Sequence, residues 1–561
     1  MKMYHVLLFV VVFLICACDS RASKGSLTEY EKQGKSVFRF TNSQEPATLD
    51  LSKATGVYEN RILNLMFEGL IRYGDEGKYS ELGVAEKYDV KDEGKTYVFS
   101  LRKNVKWSDG EPVTAHNFVA AYQRILNPAT AAQYAYMLYD IVNAEDINKG
   151  KEKDLNNLGA KALDDYTLEL KLRQAVPYFI DLLTHYTFYP VPHHVIEKHA
   201  DRWTDTENIV GNGAFVLKKR VMNSEMVFER NEHYWEKDRV KLDMIFAFTT
   251  SDQETQLRMF QSGMVDWVSS PVAKSAYPNI TKNSEWMAPP YLGTYFFNFN
   301  TTRKPFDDPR VRRALSLAID RKIIAEKIAL AGQVPAYHYV PKGIANYTSE
   351  YQLEENLQEA KKLLAEAGYP EGKNFPEFTI LYNTNEDNKK ICLVIQNMWA
   401  KNLGLPVKIE NNEWKTYIDR MKKINYDVIR RGWIADYNDA FNFMELFMKD
   451  GGNNNCGWSN AEHDELVTKT KTETDVKKRA ELFRKAEKIL LEESPVMPIY
   501  FYVADQMIKP YVRGFYPRVE GNDHGQTDIK NGKFNVADNH PITRIWIDME
   551  AKKKYLGIGD K

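Results

Sequence analysis

The chain has 561 residues, more than the roughly 250–300 beyond which one hydrophobic core stops growing, which excludes a monolithic core and predicts at least two packed units. Its formal net charge is -1, with Lys and Arg dispersed rather than gathered in a stripe, so nucleic acid is not an expected partner. With only four cysteines, two of them Cys16 and Cys18, there is no disulfide framework and no spaced Cys/His cluster for a metal.

In chain order, Lys2 precedes an apolar run from Val6 to Ile15 that is too short for a membrane-spanning helix of about 20 residues, and residues 1–17 read as a signal peptide. Ile15-Cys16-Ala17-Cys18 resembles a bacterial lipobox: small Ala17 suits the cleavage pocket, and Cys18 becomes the lipidated first residue of the mature chain. An ordinary signal peptide that happens to contain cysteine is the alternative. One acyl chain anchors weakly, but lipoproteins of this type carry several. Residues 18–36 then read as a flexible lipidated tether. The body is expected on the periplasmic or cell-surface side of a bacterial membrane, anchored at Cys18.

Val37-Phe38-Arg39-Phe40 alternates as a strand leading into a loop around Pro46 to Gly56, and Thr96–Leu101 is a second strand with Tyr97, Phe99 and Leu101 on one face. Trp107-Ser108-Asp109-Gly110 supplies a turn. Thr114 then caps a helix with Phe118, Tyr122, Ile125 and Leu126 at helical spacing, ended by Asn127-Pro128. Asp308 and Pro309 open another helix, with Val311, Ala314, Leu315 and Ala318 as its buried stripe. A third carries Leu357, Ala360, Leu364 and Ala367 and stops at Gly368. Strands at Phe378–Tyr382 and Tyr426–Ile429 are interleaved with these helices, so the class is α/β with mixed sheets. Cys392 and Cys456 could pair in an oxidising compartment or stand as two buried thiols.

Several blocks in order resemble one family: Ala85-Glu86-Lys87-Tyr88-Asp89 through Leu101-Arg102, Trp107-Ser108-Asp109-Gly110, Val113-Thr114-Ala115, Gly211-Asn212-Gly213-Ala214-Phe215, Arg230-Asn231 with Tyr234-Trp235, Phe297-Asn298 to Arg310-Val311-Arg312, and Trp433-Ile434-Ala435-Asp436-Tyr437-Asn438. Together they are similar to the oligopeptide-binding lipoproteins of ABC importers, in the peptide/nickel-binding class of extracellular solute-binding proteins. The resemblance implies a two-lobed periplasmic binding protein fold of the large cluster C type, with hinged lobes and an extra domain. Carried over, 37–67, 191–292 and 504–546 form lobe I, 68–190 the extra domain, 293–503 lobe III and 547–561 a C-terminal tail. It also implies an oligopeptide ligand, permease subunits as partners, no cofactor, a monomer and no catalysis.

The resemblance assigns the site as well. Asp436 matches the partner of a peptide's α-ammonium group, and Trp433 becomes a pocket wall. Gly432 and Ile434 match positions whose backbone pairs with the ligand, and Thr55 and Val57 pair with its other edge. Trp414 and Tyr502 fall on cleft positions. The chemistry of the segment suits peptide capture, with a cation at Arg430, small Gly432 permitting close backbone approach, and a carboxylate at Asp436. Arg430 and Asp436, six residues apart, lie at most about 20 Å apart on an extended chain.

The sequence departs from the family where a peptide's C-terminal carboxylate is held. Arg430 matches the family arginine there, but Ala329 and Asn388 stand where some relatives have a lysine and a histidine. The family's cysteine pair is replaced by Gly293 and Ile434. A secreted hydrolase is the rival class, yet no paired nucleophile and base emerges. His194 to His199 fits neither common zinc spacing and reads as solvated helix surface, Gly211-Asn212-Gly213 lacks a third glycine, and Cys456-Gly457-Trp458 reads as a surface loop. A sensor or adhesin lipoprotein is a further alternative; within the fold, so are binders of dipeptides, haem, nickel complexes or oligosaccharides. Asp436 argues for peptides.

Overall fold

The computed structural model describes residues 25–74, 80–269, 272–280, 284–514 and 544–558. Cys18 and the signal segment lie outside them. Among the described residues the chain forms a seven-stranded, a six-stranded and a four-stranded sheet with helices between, the α/β class with mixed sheets expected from the alternating elements. No helix among them is long and apolar enough to cross a membrane.

The seven-stranded sheet is laid around Val37–Thr41, buried along its whole length and parallel to both Met244–Phe248 and Trp267–Val268. Glu225–Arg230 and Phe215–Val221 extend one side, and Gln506–Ile508 and Trp286–Met287 the other. The six-stranded sheet is centred on Pro290–Phe299, flanked antiparallel by Val428–Ile434 and Val496–Val503. Phe378–Asn383 joins Val428–Ile434 in parallel, with Val407–Asn412 outside it. The chain passes between these two sheets at residues 288–289 and again at 504–505. The four-stranded antiparallel sheet, from Ala85–Lys91 to Ala160–Asp164, packs on the helix Ala115–Leu126.

Local signals explain these boundaries. Thr114 closes a capping box with Asn117, and the Asp308 side chain accepts from the Arg310 N–H at the Pro309–Leu317 helix. Gly368 takes a positive φ of 97° just past Leu357–Glu366, where a side chain would be strained. On that helix Ala360 and Leu364 are buried but Leu357 is exposed, against expectation, because it stands at the first position beyond the packed turn. The strand expected from Tyr426 begins at Val428; just before it the Asp427 carboxylate, in place of a backbone carbonyl, accepts from Thr379 N–H (3.0 Å), and it also accepts from Arg303 (3.1 Å).

Two further expectations are corrected, and the open choice between a bridge and two buried thiols falls to the thiols. Cys456 and Trp458 are buried, so their segment is packed rather than a surface loop; the Asn454 side chain ties it together by donating to the carbonyls of Met448 and Trp458. Cys392 and Cys456 are both free thiols, and burial pushes both upward in pKa. Residues 25–36 of the expected tether and 547–558 of the expected tail are folded against the seven-stranded sheet. Glu31, on the helix Glu29–Lys32, pairs with Lys552, on Met549–Leu556, and both are sealed from solvent. Lys552 also lies 3.4 Å from Asp266, which Arg39 holds at 2.9 Å. Buried charges need such partners, so the segments around Glu31 and Lys552 are locked together.

Candidate functional site

A cavity of about 240 Å³ opens between the seven-stranded and six-stranded sheets, with Tyr73, Gln133, Tyr134, His185 and Tyr186 along one side of it. All nine residues singled out for binding line it: Thr55, Val57, Trp414, Arg430, Gly432, Trp433, Ile434, Asp436 and Tyr502. Thr55 and Val57 come from the start of the helix Val57–Met66, Trp414 from the helix Trp414–Lys422, Tyr502 from Val496–Val503, and the rest from Val428–Ile434 and the turn beyond it.

That strand has one open edge. Pro290–Phe299 pairs with it from Val428 through Ile434, whereas Phe378–Asn383 pairs only with Val428 and Ile429. From Arg430 to Ile434, no described strand occupies the second edge. Residues 430, 432 and 434 are half-buried, alternating with buried Ile429, Arg431 and Trp433, as a two-residue period requires.

Gly432 has a more local reason than ligand approach: a Cβ there would stand 2.2 Å from the Tyr502 hydroxyl. That hydroxyl accepts from Arg430 Nη2 at 2.7 Å, and the guanidinium stacks 4.4 Å above the Tyr295 ring. Arg430 Nη1 donates to Asn383 Oδ1 (3.3 Å), while Nε, though buried, has no hydrogen-bond partner among the described residues. Gly293 and Ile434 are directly opposed across the ladder, and the Ile434 side chain fills the space a Gly293 Cβ would need.

At the far end, Asn442 Oδ1 accepts from both Trp433 Nε1 (3.0 Å) and the Asp436 backbone N–H (2.9 Å), fixing the wall and the turn together. Burial pushes the Asp436 carboxyl up to about 7, opposed by Asn442. His185 Nε2 lies 3.5 Å from Asp436 Oδ1, but burial takes His185 down to about 3, so the imidazole is neutral and the contact is not an ion pair. Its Nδ1 is engaged with Thr187 Oγ1 at 2.8 Å. Glu445, also pushed up to about 8 by burial, accepts from the Tyr437 hydroxyl beside it.

Ala329 and Asn388 do not line the cavity; Asn388 is buried, accepting from the Tyr295 hydroxyl at 3.0 Å and donating to Asn383. Of the His194–His199 segment, His194 pairs with Asp109 at 2.7 Å on the surface. Sequence reading missed Tyr58, Arg61, Tyr134, His185, Tyr186 and Tyr291, all lining the cavity. Arg61 alone carried a signal, four residues beyond Val57 and hence on the same helix face.

Residues 81–455 match the family model described as bacterial extracellular solute-binding proteins, family 5 Middle. The chain belongs to this family. Among family 5 relatives, it is 40% identical over 484 residues to the periplasmic oligopeptide-binding protein OppA of Salmonella typhimurium, covering 84% of this chain and 88% of the relative. The Haemophilus influenzae OppA complex with RPPGFSPFR superposes with a TM-score of 0.85 at 35% identity, covering 93% of this chain and all of that one. A family 5 protein in another state, the periplasmic murein tripeptide-binding protein MppA in its unliganded open form, superposes at only 0.61 despite 34% identity, with 94% and 99% covered. The lobes of this two-lobed fold therefore stand closer to the arrangement of the peptide complex than to that of the open form. Contacts across the cavity agree: Tyr58 meets Trp414 edge-on at 5.1 Å, and Gln44 Nε2 donates to the Thr384 carbonyl at 3.3 Å.

Proposed function

We propose that this chain captures extended oligopeptides in the cleft and delivers them to the permease of an ABC importer, without catalysing a reaction. One observation carries the reading: the open edge of Val428–Ile434 faces the cavity and ends at a buried carboxyl. An extended peptide laid there completes the ladder through its backbone, which every peptide has, and its α-ammonium group meets Asp436 in a water-poor site. Thr55 and Val57, on the opposite wall, pair with its other edge. Trp433, Trp414 and Tyr502 bound the side-chain spaces. A hydrolase reading has no nucleophile to support it, since no serine or cysteine among the described residues lines the cavity.

The organisation follows the same reading. Residues 37–67, 191–292 and 504–546 act as one lobe, 293–503 as the other and 68–190 as the extra domain; in support, each main sheet draws nearly all its strands from one of these sets. Cys18 carries the lipid that holds a monomeric receptor at the membrane. The test is native mass spectrometry of purified protein, which is expected to show co-purified peptides. A ligand-free protein whose melting temperature a peptide library leaves unmoved overturns the proposal.

A further inference from the structure

The unit built on the four-stranded sheet reaches the surroundings of Asp436 directly. Its short helix Gln133–Leu138 packs on Ala115–Leu126, and from it Gln133 and Tyr134 line the cavity. The Tyr134 ring meets His185 edge-on at 5.1 Å, and His185 Nε2 lies 3.5 Å from Asp436 Oδ1. At the next position in the chain, Tyr437 stacks on Tyr178 with ring centroids 4.7 Å apart. Two polar contacts join the same parts of the chain: Lys471 pairs with Asp140 at 3.0 Å, and Asn453 Nδ2 donates to the Tyr136 hydroxyl at 2.9 Å.

Within this contact Gln133 is held in one orientation. Its Nε2 donates to Asn453 Oδ1 (2.8 Å) and to the Gly452 carbonyl (3.1 Å). A carbonyl only accepts, so the nitrogen end of the Gln133 amide is identified and the oxygen end points elsewhere. The packing leaves little room to slip, because a Cβ at Gly452 would stand 2.5 Å from the Gln133 backbone oxygen and 2.6 Å from Tyr136 Cδ1. Gln133 Oε1 is buried, on a residue that lines the cavity, and has no hydrogen-bond partner among the described residues. Folded chains rarely leave such an acceptor without a donor.

A peptide's α-ammonium group has three N–H donors, and in a water-poor cleft each one needs an acceptor. Asp436 supplies one from the strand side. An amide oxygen suits a second position, since it accepts without placing another negative charge beside the carboxylate.

We infer that Gln133 Oε1 accepts a hydrogen bond from the peptide's α-ammonium group, so that the ligand's amino end is held between Asp436 and Gln133 and joins the two parts of the chain that meet there. The inference rests on the peptide-capture reading. It goes beyond that reading by making Gln133 a specificity-determining residue, one that requires N–H donors on the terminal nitrogen as well as its charge. Trimethylation separates the two requirements, because a quaternary ammonium keeps the charge and has no N–H.

Calorimetry with the full mature chain would compare tri-alanine with tri-alanine carrying an N,N,N-trimethyl amino terminus. The wild type is expected to bind tri-alanine at least about tenfold more tightly, as the loss of a hydrogen bond to a charged group implies. Gln133→Ala should weaken tri-alanine by about tenfold and leave the trimethylated peptide unchanged or tighter, narrowing the ratio between them. Equal affinity of the wild type for the two peptides overturns the inference, and so does a ratio that Gln133→Ala leaves unaltered, whether both peptides weaken together or neither does. Gln133→Met, which keeps the bulk of the side chain without its amide, decides by the same ratio should Gln133→Ala not fold. Failure of every peptide to bind the wild type overturns peptide capture itself.

Discussion

Lys274 Nζ lies 3.5 Å from Asp387 Oδ2, joining the short helix Lys274–Ala276, which leads into Tyr277, to the first turn of Glu386–Leu403. Lys274 is held from behind by Asp505 at 3.3 Å, and Asp505 in turn accepts from Val272 N–H (3.0 Å), Trp286 Nε1 (2.8 Å) and the Tyr277 hydroxyl. Gln253 Nε2 reaches Asp387 at 3.2 Å. The contact spans the cleft close to residues 504–505, where the chain crosses between sheets.

Opening the lobes must break this contact, so it belongs to the closed state. Asp387→Asn is expected to weaken the closed form by about 1.5–3 kcal/mol, the worth of hydrogen bonds to a charged group. Small-angle scattering of the ligand-free protein should show a larger radius of gyration. Peptide affinity should fall by about 10–100-fold, equally for acetylated and free peptides. Unchanged scattering and affinity would show that the pair does not govern closure.

Asp436→Asn should weaken binding of peptides with a free amino terminus by about 10–100-fold, while N-acetylated peptides bind the wild type poorly and lose little more on mutation. A double-mutant cycle pairing this substitution with acetylation isolates the interaction. Equal affinity of the wild type for both peptides would misassign the amine end.

The pH dependence follows from burial. With Asp436 raised to about 7 in the closed cleft, a bound ammonium group stabilises its ionised form and lowers its pKa. Binding by the ionised form is therefore full above about pH 7 and declines as pH falls through that value, by up to tenfold per unit. Glu445, raised to about 8, takes its proton earlier on acidification, and His185, lowered to about 3, stays neutral throughout. Calorimetry between pH 8 and 5 checks this; Asp436→Asn should flatten the profile.

Gly432→Ala places a methyl group on the Tyr502 hydroxyl and displaces the Arg430 contact with it. Overpacking of this kind costs about 1–3 kcal/mol. Both melting temperature and peptide affinity should drop, and Gly432→Ala combined with Tyr502→Phe should recover part of the stability.

Lys552→Met leaves Glu31 and Asp266 buried with Arg39 as their remaining cation. A loss of about 3–5 kcal/mol in unfolding free energy is expected, because a buried charge has lost its partner. Denaturant melts measure it, and peptide affinity in the folded protein should be unchanged.

Helix caps, strand alternation and the Arg430–Asp436 segment were legible along the chain because their causes are local: Thr114 bonds to a residue three positions on, and Asp308 to one two positions on. The family likeness extended that reading to cleft residues on distant segments, and all nine meet in one cavity. Contacts between remote segments were invisible. Glu31 and Lys552 are 521 positions apart, so the folded chain ends looked like a tether and a tail. Tyr502 explains Gly432 only once two strands lie side by side with Pro290–Phe299 between them. Sequence by itself determined most of the helices and strands and the segment, Arg430 to Asp436, that meets the cavity. Tertiary structure alone decided how the charges of the cavity behave: the dielectric around a side chain is set by whatever packs over it, and burial by other segments is what raises Asp436, neutralises His185 and lowers Arg61.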